Sequence, residues 1–212
     1  MKAPGLLYRV ARRPHPWTSP DWSAVAPDGT FGNRFDDPES TYRVLYASSR
    51  PLGCFLETLA RFRPDPMLAA ELAKIAGMDD FHDLGTIPPS WVQQRCLGSA
   101  QCAADFADIG SAKWLARIRR KLAPVLAGLG FAEFDAAALH RSEPRRLTQM
   151  VSRLAFNAGA GGVRYLSKFG SDVENWAIFE PFDLKDTTAE ALRLGDPDLQ
   201  AALRIHGLRW QG

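Results

Sequence analysis

The 212 residues include only three cysteines and four histidines, and neither set is arranged for disulfide or metal chemistry. Cys54, Cys96 and Cys102 form no CxxC pair and no disulfide framework, so buried or idle thiols in a reducing cytosol are expected. His15, His82, His140 and His206 are scattered, with none at a ligand spacing such as HExxH, and no metal is expected. Long apolar runs are missing too. The opening MKAPGLLYRVARRPHP is too short in apolar residues for a signal peptide, and no stretch approaches a membrane span. A cytoplasmic protein without a membrane partner follows. Charge of one sign is also lacking: 26 Lys and Arg face 24 Asp and Glu, for a net charge of +2. The densest basic cluster, Arg117, Arg119, Arg120 and Lys121, reads as the solvated face of a helix, so direct nucleic-acid binding is not expected. There is no GxGxxG, GxxxxGK[ST] or GxSxG motif, which leaves a Rossmann cradle, a P-loop and a nucleophile elbow unsupported.

What is present is ordinary in bulk: 46% hydrophobic and 24% charged residues, enough to bury one core. LLYRV (6–10) reads as a strand leading into a Pro/Trp-rich loop, and YRVLYAS (42–48) as a core strand. Ser48 and Ser49 are placed to cap a helix with Pro51 in its first turn. In that helix Leu52, Phe55, Leu56, Leu59 and Phe62 recur at helical spacing, which predicts one buried face. Between 64 and 145 the character changes. MLAAELAKIAG predicts a short helix, FHDLGTIPPSWV a strand and a turn, and SAKWLARIRRKLAPVLAGLG an amphipathic helix that Pro124 must bend or break. A helix containing Leu147, Met150, Val151, Leu154 and Ala155 follows, ended by the glycines at 159–162. Then come strands at 163–167 and 175–180 joined by a polar loop, and a last segment with one helix and a terminal stretch around Trp210. Short strands mixed with helices give an α+β class rather than repeated βαβ units.

The residues able to carry chemistry are polar ones inside or at the ends of apolar strands: Arg9, Arg34, Tyr46, Ser48, Ser167 and Asn175, with Glu57 on the helix. Arginine offers a planar fork for phosphate, and a glutamate beside a sugar stabilises positive charge at an anomeric carbon. Tyrosine stacks on a flat ring, while serine and asparagine bond a ribose or an amide. Each also has a plainer explanation. Glu57 stands four residues before Arg61, as in an exposed ion pair, and Arg34 is close to Asp36 and Asp37. Tyr46 suits a core, Ser167 and Asn175 suit turns, and Arg9 suits a strand edge from which its head reaches water. Residue types alone leave both readings open.

The order of these pieces resembles the RES-domain family, named for its arginine, glutamate and serine, whose members are toxins of bacterial RES–Xre toxin–antitoxin pairs. Three stretches carry the resemblance: YRV (8–10) with GNRFDDP (32–38), VLYASSRPLGCFLETLARF (44–62) and RLTQMVSRLAFNAGAGGVRYLSKFGSDVENWAIFEP (146–181). It implies an ADP-ribosyltransferase-like central β core with flanking helices, here one domain over 1–212 with a largely helical insertion at about 64–145. The implied activity is cleavage of the nicotinamide–ribose bond of NAD+ by phosphorolysis or hydrolysis, with NAD+ as substrate, inorganic phosphate as co-substrate and an Xre-like antitoxin as partner. Carried over by motif, Arg34, Glu57 and Tyr46 are the catalytic candidates. Arg9, Arg34, Tyr46, Ser48, Ser167 and Asn175 are the ligand-binding ones. Two departures stand out. The family's Gly-Arg-Phe-Asn-Pro turn reads here as Gly-Asn-Arg-Phe-Asp-Asp-Pro, and the 64–145 segment has no counterpart in the matched stretches. A mono-ADP-ribosyltransferase acting on a protein or nucleotide, and a catalytically silent partner-binding protein, are the alternatives.

Overall fold

A computed structural model describes residues 1–3, 5–67, 70, 85–140 and 145–211. Its strands are β1 (Leu6–Arg12), β2 (Val44–Ser48), β3 (Thr86–Ile87), β4 (Arg95–Cys102), β5 (Phe106–Asp108), β6 (Gly162–Ser167), β7 (Gly170–Phe179), β8 (Leu184–Lys185), β9 (Glu190–Ala191) and β10 (Arg209–Trp210). Its helices are α1 (Pro51–Leu59), α2 (Ser90–Gln93), α3 (Ala112–Lys121), α4 (Ala123–Gly128), α5 (Arg145–Phe156) and α6 (Pro197–His206). The main sheet runs β5-β6-β7-β2-β1-β4-β8, with β9 also on β4, and β3 pairs β10 separately. Within the main sheet β5 and β6 are parallel and the other pairs antiparallel. This is the α+β architecture of central sheet and flanking helices that the sequence implied.

Alternation along β7 shows how the core is divided. Val173, Ala177 and Phe179 face one side, while Trp176 and Ile178 face the other against Leu7, Leu45 and Phe106. On the first side there are two apolar clusters rather than one. Val173 packs with α1, α6 and Val10, whereas Ala177 and Phe179 pack with α3, α5 and Val44. Asn175 shares this face and sits on the seam between them. Because Tyr8 pairs Ser48, Ser48 pairs Asn175 and Asn175 pairs Tyr165, one register row crosses β1, β2, β7 and β6 at that seam.

Helix α1 lies over this row. Phe55, Leu56 and Leu59 are fully or almost fully buried, each contributing about 1.5–3 kcal/mol of apolar burial. Its N-cap is Arg50, in extended conformation and without a side-chain hydrogen bond, rather than Ser48 or Ser49. Both serine hydroxyls are used elsewhere: Ser48 Oγ donates to the Glu174 carbonyl at 2.8 Å, and Ser49 Oγ accepts from Trp176 Nε1 at 2.8 Å. Pro51 occupies the first turn as expected. Gly53 lets the helix descend onto the sheet, since a Cβ there would overlap Ser48 Oγ and lie 2.9 Å from Val173 Cγ1.

Elsewhere the outcome is mixed. Pro124 does separate α3 from α4, at Leu122. The helix expected at 67–77 falls almost wholly outside the described residues. The 64–145 segment carries α2, α3 and α4, yet it also supplies β4 and β5 to the main sheet, so it is in part core rather than insertion. The polar loop expected after Ser167 shrinks to Lys168 and Phe169, because β7 already begins at Gly170. The C-terminal segment adds β8, β9 and β10 to its single helix.

Gly53→Ala sets a helix-propensity gain of about 1 kcal/mol against an overlap with backbone-anchored neighbours. Overpacking should prevail, with a net loss of roughly 1–3 kcal/mol measured by denaturant unfolding. An unchanged midpoint would mean that α1 does not need this close approach.

Candidate active site

A cleft of about 480 Å³ opens on the seam, lined among others by Arg34, Tyr46, Glu57, Arg61, Tyr165 and Phe169. A slightly larger hollow of about 530 Å³, between α3–α4 and residues 131–135, holds none of the candidate residues. The cleft, where the polar groups converge, is therefore the candidate site.

Glu57 points from α1 toward the β6–β7 hairpin. Its Oε1 accepts two hydrogen bonds, from Ser167 Oγ at 2.7 Å and from Asn175 Nδ2 at 2.7 Å. Ser167 Oγ in turn accepts from the Phe169 N–H at 3.0 Å, so the hydroxyl proton is directed at the glutamate. Both donors are almost fully buried. Oε2 carries no partner among the described residues, and no ion pair joins Glu57 to Arg61. The exposed-pair explanation of Glu57 therefore fails. Asn175 Oδ1 is buried without a hydrogen-bond partner.

Arg34 pairs with neither of its acidic neighbours. Asp36 accepts from the Asn33 N–H at 2.7 Å and from Tyr46 Oη at 3.2 Å, while Asp37 binds Thr41 and Arg153. The Arg34 guanidinium lies instead 5.3 Å from the ring centroids of both Phe35 and Tyr165, donates from Nη2 to the Leu139 carbonyl, and has a buried, unpartnered Nε. The acidic pair thus does not orient the guanidinium directly; it ties down the turn. That turn is braced by α5, whose Arg145 and Gln149 donate to the carbonyls of Gly32 and Asn33, and whose Ser152 donates to that of Phe35. Together with Arg153, which holds Asp37, these four polar residues stand at helical spacing on one face of α5.

Tyr46 Oη also accepts from the Phe35 N–H at 3.0 Å. Burial first, and then the charge of Asp36, push the phenol well above its ordinary pKa, so it stays neutral and works as a brace and an aromatic wall. Arg9 is bound to two carbonyls, Pro16 and Tyr46, both at 2.8 Å, where the β1–β2 ladder has only its Tyr8–Ser48 register pair. With Ser48, Cys54 and Asn175, Arg9 lines a smaller hollow of about 70 Å³ that Tyr46, Glu57 and Tyr165 share with the cleft. Burial raises the Cys54 thiol to about 12, so it is no nucleophile at neutral pH.

The structure thus brings Arg34, Tyr46, Glu57, Ser167 and Asn175 together, places Arg9 and Ser48 behind them, and commits the Ser48 hydroxyl to a backbone carbonyl. The candidates chosen from sequence omitted Tyr165, which strand alternation places on the face of Ser167. They also omitted the polar stripe of α5, legible as Arg145, Gln149, Ser152 and Arg153.

The RES domain profile matches residues 6–197. The chain belongs to the RES-domain family. A chain of the M. tuberculosis MbcT–MbcA toxin–antitoxin complex has a similar fold, with a TM-score of 0.50 and 12% identity over 97% of this chain and 91% of that one. No curated protein sequence matches significantly. The RES match runs through α2, β4, β5, α3 and α4, so the 64–145 segment lies within the matched stretch.

Tyr46→Phe removes the acceptor of the Phe35 N–H and a donor to Asp36. A loss of about 1–3 kcal/mol in unfolding free energy is expected, with the Arg34 turn loosened. A variant as stable as wild type would show that the turn does not depend on Tyr46.

Proposed function

We propose that this RES-domain chain is the toxin of a toxin–antitoxin pair and that it cleaves the nicotinamide–ribose bond of NAD+. The observation that carries the reading is Glu57, with one carboxylate oxygen fixed by Ser167 and Asn175 and the other turned to a cleft walled by two tyrosines and an arginine. The arginine suits a pyrophosphate and the aromatic walls suit a flat ring. The orphaned Asn175 Oδ1 calls for a donor, such as a ribose hydroxyl or an amide N–H.

In this mechanism the C1′–N1 bond breaks with its electron pair going to the pyridinium nitrogen, so nicotinamide leaves neutral. The positive charge left on the ribose faces Glu57 Oε2, whose orientation is set in advance by the two bonds to Oε1. Phosphate or water then forms the new C1′–O bond and gives up a proton to solvent. Arg34, held against Phe35 and Tyr165, binds the pyrophosphate and keeps the sugar over Glu57. Arg9 supports the site through the Tyr46 carbonyl instead of reaching the ligand directly. An Xre-like antitoxin would neutralise the chain by covering the cleft.

Incubating the purified chain with NAD+, with and without phosphate, and resolving the products tests this. ADP-ribose 1″-phosphate indicates phosphorolysis, ADP-ribose indicates hydrolysis, and label transferred to protein indicates an ADP-ribosyltransferase. Glu57→Gln should lower NAD+ consumption at least about 100-fold, as losing an electrostatic stabiliser of a transition state does. Consumption at the wild-type rate in Glu57→Gln would overturn the role given to Glu57.

A further inference from the structure

β1 and β4 pair without interruption from Leu6–Gln101 to Arg12–Arg95. Along the pair, Val10 with Leu97 and Arg12 with Arg95 project from the same face. The first of these couples is covered by α1, whose Leu59 belongs to the same apolar cluster. The second lies just past the end of that cover, so two arginines stand directly opposite each other, an arrangement that destabilises a sheet. Immediately after Leu59 the chain makes a short 3₁₀ turn, Ala60–Phe62, with Phe62 packed on the cluster and Arg61 exposed. Burial, followed by the charges of Arg61 and Arg12, lowers the pKa of Arg95, so Arg95 feels the field of both.

None of the three meets a carboxylate within ion-pair distance among the described residues. Arg95 is nevertheless held in place: its guanidinium lies 4.8 Å from the Trp91 ring centroid and donates to the Trp91 carbonyl at 3.2 Å. Arg61 also lines the cleft that holds Glu57, so one member of the group borders that cleft. A fixed arginine, a second opposite it and a third on the cleft lip form a cationic group suited to an anion.

We propose that Arg12, Arg61 and Arg95 form a phosphate-binding site at the rim of the cleft. Three guanidinium forks match the oxygens of a phosphate group better than they match one another. The group is either free inorganic phosphate or a phosphate carried by a nucleotide that extends from the cleft. This site is separate from Arg34 and from the chemistry assigned to Glu57.

Isothermal titration of inorganic phosphate, and separately of ADP-ribose, into the wild-type chain and Arg12→Gln/Arg95→Gln tests the proposal. At least one ligand should bind the wild type and raise its Tm, and the double substitution should weaken that binding about tenfold or more. A phosphate response identifies the free ion, whereas a response to ADP-ribose alone identifies a nucleotide-borne group. The ligand-free double variant should remain folded, because relief of the opposed charges offsets the lost Trp91 contacts. Binding within twofold of wild type in both arms, or no binding by the wild type, would each overturn the site. If Glu57→Gln left NAD+ consumption intact while this binding was lost in the arginine variant, the catalytic reading would fall and the phosphate site would stand.

Discussion

One carboxylate oxygen shared by two buried donors fixes the geometry on which the rest depends. Glu57 Oε1 joins α1 to β6 through Ser167 and to β7 through Asn175, and it does so on the seam between two apolar clusters. A carboxylate moved to such a place without partners would be strongly disfavoured. Two short hydrogen bonds offset that penalty and leave the second oxygen directed at the cleft. The seam is itself a product of packing: α1 and α6 cover one part of the sheet face, α3 and α5 another, and the register row from Ser48 to Tyr165 runs between them.

The arginine turn depends on the same economy of polar contacts. Arg34 is presented by a loop that has little apolar burial beyond Phe35, so its shape is set by hydrogen bonds donated from α5, by the Phe35 N–H bound to Tyr46, and by Asp36, which accepts from Asn33 and Tyr46. The two acids next to Arg34 stabilise the frame and leave the guanidinium to aromatic rings and one carbonyl. A cation partnered this way keeps its charge available to an anion in the cleft, which a salt bridge to Asp36 would have consumed.

Much of this was legible in the sequence, and the gaps have physical reasons. Helical spacing of Leu52, Phe55, Leu56 and Leu59 identified the buried face of α1, and the ordered RES motifs named Arg34, Tyr46, Glu57, Ser167 and Asn175. Composition could not tell whether Glu57 pairs with Arg61 or with donors more than 100 residues away, because that depends on packing. The serine cap failed for a similar reason: long-range partners on β7 claim both hydroxyls. β4 went unread because RCLGSAQC alternates small and polar residues against a partner strand about 90 residues upstream, which leaves little local signature. Tyr165 was within reach, since period-two alternation from Ser167 places it on the same face.

The central claim is that Ser167 and Asn175 act through Glu57. A double-mutant cycle on NAD+ turnover measures it: Ser167→Ala and Asn175→Ala alone should each slow the reaction, and neither should slow it further once Glu57→Gln is in place. Losses that simply multiply, with each alanine as damaging in the Glu57→Gln background as in wild type, would contradict the account.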